Sequence, residues 1–310
     1  MAKPFSEVLL ELAREDPRIC GVSCDCWGFL GPLVEEFPSR AIEVGIAEQN
    51  LIGVAAGLAL AGKVPFAIGM NPFVTMRCFE QIRTDLGYGA RNVKVIGGYG
   101  GGVMYGGWGC THHAMEEIAL MRLIPTMTVV MPADGFETEH ATRAAAATEG
   151  PFYISLAGGE LPVGKPESER TFELGKAVLL REGTEVTVIG TGPTVADALR
   201  AGDLLAERGI SARVLGMHTV KPIDGDAILQ AAQDTRLIVT IEEHTVIGGL
   251  GGAVAETLAD AGAATPLKRL GVQDVFACMV GSHQDLRERC GITAEAVVHT
   301  VLGQSEGAHS

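Results

Sequence analysis

Aromatic side chains are scarce in this chain: two Trp, four Tyr and ten Phe make up 5% of 310 residues. Basic residues are also few, 24 Lys and Arg against 38 Asp and Glu, for a formal net charge of -14. Nucleic-acid binding draws on clustered Lys and Arg that neutralise phosphates, so this balance argues against a general nucleic-acid binder. There is no long apolar run. The longest, Leu51 to Ala61, falls short of the roughly 20 residues that span a bilayer, so no membrane span is expected. The start, "MAKPFSEVLLELAREDP", carries charges throughout and lacks an apolar signal core, which points to the cytoplasm. The seven cysteines form no C-x-x-C pair. Cys20, Cys24 and Cys26 cluster around a predicted strand and read as small buried residues. A metal or redox role is the alternative, and it wants a fourth ligand at matching spacing. No Asn follows Asn92, no G-D-G occurs, and no Walker loop is present.

What is there is a folded, core-rich composition, 47% hydrophobic and 20% charged. The length exceeds one comfortable core and predicts two domains. Phe5, Val8, Leu9 and Leu12 fall at i, i+3, i+4 and i+7, the mark of an amphipathic helix. A strand ("RICGVSCD"), a helix over 48–61, a strand over 63–70, a helix over 73–86 and a strand over 93–97 follow. After a glycine-rich loop come a helix from about 113, a strand over 127–131 and a helix over 134–148. Pro162–Phe172, polar and without period, reads as a linker. A second series follows: strand "EVTVIGTG", helix 194–208, strand "ARVLGMH", helix 224–232, strand "LIVTIEE", helix 249–260, and a frayed tail "GQSEGAHS". Such alternation predicts an α/β chain of two domains, 1–161 and 173–310, each a mostly parallel sheet flanked by helices. "GGLGG" lacks the strand context of a dinucleotide fingerprint, so no nucleotide site is expected.

One acid stands out. "GIAEQNLIGVAAGLALAG" reads as an apolar helix with Glu48 at its mouth. Burial disfavours a carboxylate, whereas a helix N-terminus favours one. Opposed effects of this kind suit a group that must share a proton. The plainer reading is a surface Glu that stabilises its helix.

"VGIAEQNLIGVAAGLALAG", "GGWGCTHHAMEEIALMR", "VVMPADGFET", "EVTVIGTGPTVADALRAGDLLAERGISARVLGMHTVKPID" and "EEHTVIGGLGGAVAE" together resemble the C-terminal half of transketolases, over nearly the whole chain. The resemblance implies the pyrimidine-binding and C-terminal domains of a thiamine-diphosphate enzyme. It implies that Glu48 hydrogen-bonds the cofactor's aminopyrimidine, with the cofactor carrying the hard chemistry. Phe73 matches the position on which the pyrimidine stacks; core packing on a helix is the alternative. Met70 and Met76 stand where the family has flanking aromatics, and Asp25 is kept. His112 matches a histidine that faces the donor's reacting carbon and moves protons near neutrality. A structural hydrogen bond, or a metal held with Glu116 four residues on, are the alternatives. His113 has no assigned role, and His218 and His244 read as structural.

The resemblance also shows what is missing. The family's G-D-G and downstream Asn, which hold a divalent metal on the cofactor's diphosphate, do not occur here. The chain is therefore expected to be one subunit of a split enzyme. A second subunit would bring Mg2+ and the diphosphate site, in an α2β2 heterotetramer. Gly53 and Gly57 would allow a neighbouring element close to the opening helix, as would ordinary packing. Phe29 stands where the family has a phosphate-binding Ser, Trp108 in place of loop His and Asp, and Ala157 in place of an Arg. Arg77 or Arg143 are the candidates to compensate. The implied reaction moves a two-carbon ketol or acyl unit from a ketone donor to an aldehyde-type acceptor. The lost phosphate ligands point to small-molecule substrates without a terminal phosphate, or to a phosphate bound differently. Decarboxylation of a 2-oxo acid followed by carboligation, and a non-catalytic partner role, are the alternatives.

Overall fold

The structure, a computed structural model, describes residues 3–156, 164 and 166–303. Ala157, the first part of the expected linker and the last residues of the expected tail lie outside the described residues. Twelve strands of the described residues build two sheets. The first holds β1 (Ile19–Ser23), β2 (Ala41–Glu43), β3 (Val64–Met70), β4 (Lys94–Gly98), β5 (Thr128–Val130), β6 (Phe152–Ser155) and, from the second half of the chain, β10 (Thr219–Lys221). The second holds β7 (Val178–Arg181), β8 (Val186–Gly190), β9 (Ala212–Gly216), β11 (Ile238–Thr245) and β12 (Leu267–Val272). β1, β4, β6 and β8 are buried along their whole length. A parallel strand covered on both faces carries apolar residues without alternation, which is why these runs read so plainly.

The first sheet has the order β10-β5-β6-β4-β3-β1-β2, and the second β12-β11-β8-β9-β7. All pairings are parallel except two: β7 runs antiparallel to β9, and β10 antiparallel to β5. The two halves thus share a sheet. Lys221 Nζ fixes the crossing by donating to the carbonyls of Arg122 and Ile124 at 2.9 and 2.5 Å. The expected linker is also no free tether at its far end. Arg170 is buried against Asp134 at 2.5 Å, and Phe172 stacks on His218 at 4.2 Å. No helix of the described residues is long and apolar enough to cross a membrane.

Two predicted helices differ from expectation. Residues 73–87 are not one regular helix: Phe73–Arg77 and Ile82–Gly87 form π turns about a short α segment, Phe79–Gln81. Thr75 Oγ1 donates to Asn71 O at 2.7 Å and Cys78 Sγ to Val74 O at 2.9 Å. Side-chain donors that compete for turn carbonyls loosen a helix in this way, and π turns gather at functional sites. The helix expected from about 113 starts only at Glu117 and ends at Leu123. Its first turn is lost because Ala114 N donates to Gly102 O (2.8 Å) while Met115 O accepts from Thr245 N (2.8 Å).

Candidate functional site

The residues singled out by sequence gather at the carboxyl ends of β1, β3 and β4, the edge where open α/β sheets hold ligands. Glu48 opens the helix Glu48–Leu60, whose cap residue, Ala47, makes no side-chain cap bond. Its carboxylate is only 3% exposed and accepts from Arg77 Nη1 at 2.7 Å. The plainer surface reading therefore does not describe this acid. Arg77 arrives from the π turn after β3, and its guanidinium lies 4.3 Å from the Phe73 ring centre. Glu48, Arg77 and Phe73 thus form one stack.

Phe73 meets His112 edge-on, with ring centres 5.2 Å apart. His112 lies 4.9 Å from Trp108 and is stacked on Tyr105 at 6.4 Å. Its Nδ1 pairs with Thr111 Oγ1 at 2.9 Å. Tyr105 continues to Tyr99 at 5.9 Å, and Tyr99 to Phe29 at 5.1 Å. Phe29, Phe73, Tyr99, Tyr105 and Trp108 thus form a wall that stays open: Trp108 is 64% exposed and Met76 42%. Met70 is the last residue of β3. Asp25 occupies a left-handed turn (φ 53°) after β1, and its N–H donates to Glu43 Oε1 at 2.9 Å.

Several alternatives fall away. His112 and Glu116 do not share a helical turn, because both precede the helix that starts at Glu117. Among the described residues no group of three or more His, Cys, Asp or Glu is placed to hold a metal. Cys20, Cys24, Cys26 and Cys78 are free and buried. Burial pushes their thiols up, to about 11 for Cys20 and Cys24 and about 12 for Cys26 and Cys78, as in small apolar-packed residues. Arg143 is not at the site: it pairs with Glu11 and Glu139 at 2.6 and 2.9 Å. The nucleotide reading of "GGLGG" fails physically as well. Glu242 fills that helix N-terminus, accepting from Leu250 N and Gly251 N at 2.6 and 2.8 Å.

Sequence reasoning passed over several groups behind the wall. Glu117 accepts from the hydroxyls of Tyr153 and, at 3.2 Å, Ser155; burial pushes it up to about 8. Glu243, from β11, accepts from Val103 N at 2.8 Å. His113 is buried with neither ring nitrogen hydrogen-bonded, and burial lowers its pKa. The available signal was the acidic doublets in "AMEEIAL" and "VTIEEHT", where apolar neighbours argue for burial. His218 and His244 are buried and hydrogen-bonded, to Thr219 Oγ1 (2.8 Å) and to Thr245 O (2.7 Å); burial brings both down to about 4 and keeps them neutral.

Comparison with known proteins gives a consistent result. The family description "Transketolase, pyrimidine binding domain" matches residues 1–163, and "Transketolase, C-terminal domain" matches residues 175–297. A protein of Phocaeicola vulgatus described as a subunit of an apulose-4-phosphate transketolase is 39% identical over 302 residues, 97% of this chain and 96% of that protein. The "6-deoxy-6-sulfo-D-fructose transketolase subunit SqwH" of Clostridium sp. is 42% identical over 299 residues, 95% of this chain and 91% of that one. A solved structure described as "Split gene transketolase, inactive beta4 tetramer" is 40% identical with a TM-score of 0.87, covering 97% of this chain and 96% of its own.

Proposed function

The chain belongs to the transketolase family, and on that premise we propose that it is the pyrimidine-binding subunit of a split, thiamine-diphosphate-dependent transketolase. It transfers a two-carbon ketol unit from a ketose donor to an aldehyde acceptor. The observation that carries this reading is the buried Glu48 carboxylate at the rim of an open aromatic wall. The residues present fit the pyrimidine half of the cofactor: one buried acid, one half-buried ring to stack on, and a face left open. When bound, thiamine diphosphate supplies the nucleophilic carbon and the electron sink.

Glu48 holds a proton at the pyrimidine nitrogen opposite the amino group, and Phe73 orients the ring by stacking. Met70 and Met76 fill the apolar margin. His112, with Nδ1 engaged by Thr111, offers Nε2 to the substrate's oxygens. Trp108 and Phe29 line the approach, and Asp25 marks its far side. A partner subunit carrying G-D-G and a downstream Asn completes the site with Mg2+ and the diphosphate cradle, in an α2β2 assembly. The relatives of matching length, themselves called subunits, support this division.

The test is reconstitution. This chain alone should bind thiamine diphosphate weakly, and the mixed pair tightly and with Mg2+ dependence, by calorimetric titration. The pair should then release an aldose from a ketose donor. Tight binding by this chain alone overturns the split site. Carbon dioxide released from a 2-oxo acid, with no ketol transfer, overturns the reaction.

Arg77 gives a second expected result. Its guanidinium occupies the space between Glu48 and the Phe73 face, so it must leave before a pyrimidine enters. Arg77→Met should lower the Tm of the free chain, because it strands a buried carboxylate. The same loss should tighten cofactor binding by the assembled pair. A half-exposed pair of this kind is worth about 1 kcal/mol, roughly fivefold in Kd. Unchanged or weaker binding refutes the displacement.

A further inference from the structure

We propose that Glu243 is a positioning residue: from the second domain it latches the loop 102–114 and thereby sets where His112 stands. The inference rests on the reading above that His112 meets the substrate.

The loop has little regular structure of its own. It is tied to itself by the 3-10 turn at Gly106–Trp108, a bond from His112 N to Gly109 O at 2.9 Å, and the bridge of Gly102 to Ala114, with bonds of 3.2 and 2.8 Å. The first domain adds ring contacts, Phe73 to His112 and Tyr99 to Tyr105. Further hydrogen bonds come from the second domain. Glu243 Oε1 accepts from Val103 N at 2.8 Å, just inside the bridge. Thr245, two residues further along β11, donates its N–H to Met115 O at 2.8 Å, just outside the bridge on the returning limb. Gly281 N donates to Gly106 O at 3.3 Å near the tip. One strand end therefore grips both limbs of the loop that carries Tyr105, Trp108 and His112.

The contact at Glu243 is built closely. Gly102 has φ +61, and a Cβ there would fall 2.4 Å from Glu243 Cγ and 2.6 Å from its carbonyl oxygen. Only glycine lets the loop lie against the carboxylate in that conformation. Glu243 is itself fixed. His283 Nε2 stands 2.7 and 2.9 Å from its two oxygens, Arg287 Nε stands 3.6 Å away, and the side chain is 5% exposed. Arg287 is in turn paired with Asp197. A cavity of about 10 Å3, room for one water, has Glu243, Gly101, Gly102 and Glu117 among its lining residues. Loss of the carboxylate would leave Val103 N buried without a partner and free the first limb to move. Small displacements of a reacting group cost turnover far more than binding.

The experiment compares Glu243→Ala, Glu243→Gln and His283→Ala in the full chain, free and assembled with its partner. Hydrogen exchange of residues 103–114 in Glu243→Ala should quicken about tenfold or more, with the helix Phe5–Glu15 unchanged. In the assembled enzyme kcat should fall about tenfold to a hundredfold, with KM within about threefold. Glu243→Gln keeps an oxygen for Val103 N and should restore both readouts to within about threefold of wild type. His283→Ala, at a half-exposed side chain, should fall between the two. Unchanged loop exchange in Glu243→Ala, glutamine no better than alanine, or a lowered Tm with normal kcat overturns the latch. A wild-type pair without ketol transfer overturns the functional reading instead, and the exchange result then still decides the latch.

Discussion

Glu48→Gln is expected to cut kcat of the assembled enzyme by roughly 10²–10⁴-fold, the range for removal of a positioned acid–base group, and to leave the fold intact. Glutamine matches the shape of the side chain, so the helix Glu48–Leu60 keeps its start and its packing. Its amide oxygen can still accept from Arg77 Nη1, now held at 2.7 Å by the carboxylate. What disappears is the ability to share a proton with a ring nitrogen. The substitution also removes a negative charge from a helix N-terminus, at about 0.3–1 kcal/mol, and weakens the pair with Arg77. A Tm shift of a few degrees is therefore consistent with the proposal, whereas near-normal turnover defeats it. The control is cofactor affinity: stacking on Phe73 and the partner's contacts remain, so the loss should appear in kcat far more than in Kd.

The parts that sequence made legible are those fixed by local pattern. β1, β3 and β4 are covered on both faces, so their apolar runs announce them. The acid before an apolar helix was visible because burial and charge conflict there. The parts that stayed hidden are fixed by distant partners. β10 is three residues, Thr-Val-Lys, with no pattern of its own; it exists because β5 has an open edge and Lys221 reaches two carbonyls beside it. The start of the helix Glu117–Leu123 is set by bonds from Gly102 and from Thr245, more than a hundred residues away. Arg77 was recognisable as a cation, but its place between Glu48 and Phe73 follows from a π turn that helical periodicity does not encode. Glu243 sits in the strand Ile-Val-Thr-Ile-Glu-Glu-His-Thr, and its target lies in the other domain. The residues singled out by sequence come together at one edge of the first sheet, and those that hold the glycine-rich loop in place were not singled out.

His112→Asn carries the other large expected effect. The ring is half-buried, edge-on to Phe73 and beside Trp108, and Thr111 Oγ1 engages Nδ1 at 2.9 Å. That bond fixes the ring plane and leaves Nε2 as the nitrogen for proton transfer. Asparagine can keep a hydrogen bond to Thr111 but cannot pass a proton. Turnover should fall by about 10²–10⁴-fold. Stability should barely change, since the ring contacts lie on an open wall rather than in the core. A purely structural histidine would give the reverse pattern, a lowered Tm with kcat little changed. Thr111→Val separates orientation from chemistry: it releases Nδ1 while keeping the imidazole. Its kcat should lie between wild type and His112→Asn. If Thr111→Val matches His112→Asn in kcat, the loop's geometry, and not the imidazole's proton, is what the site requires.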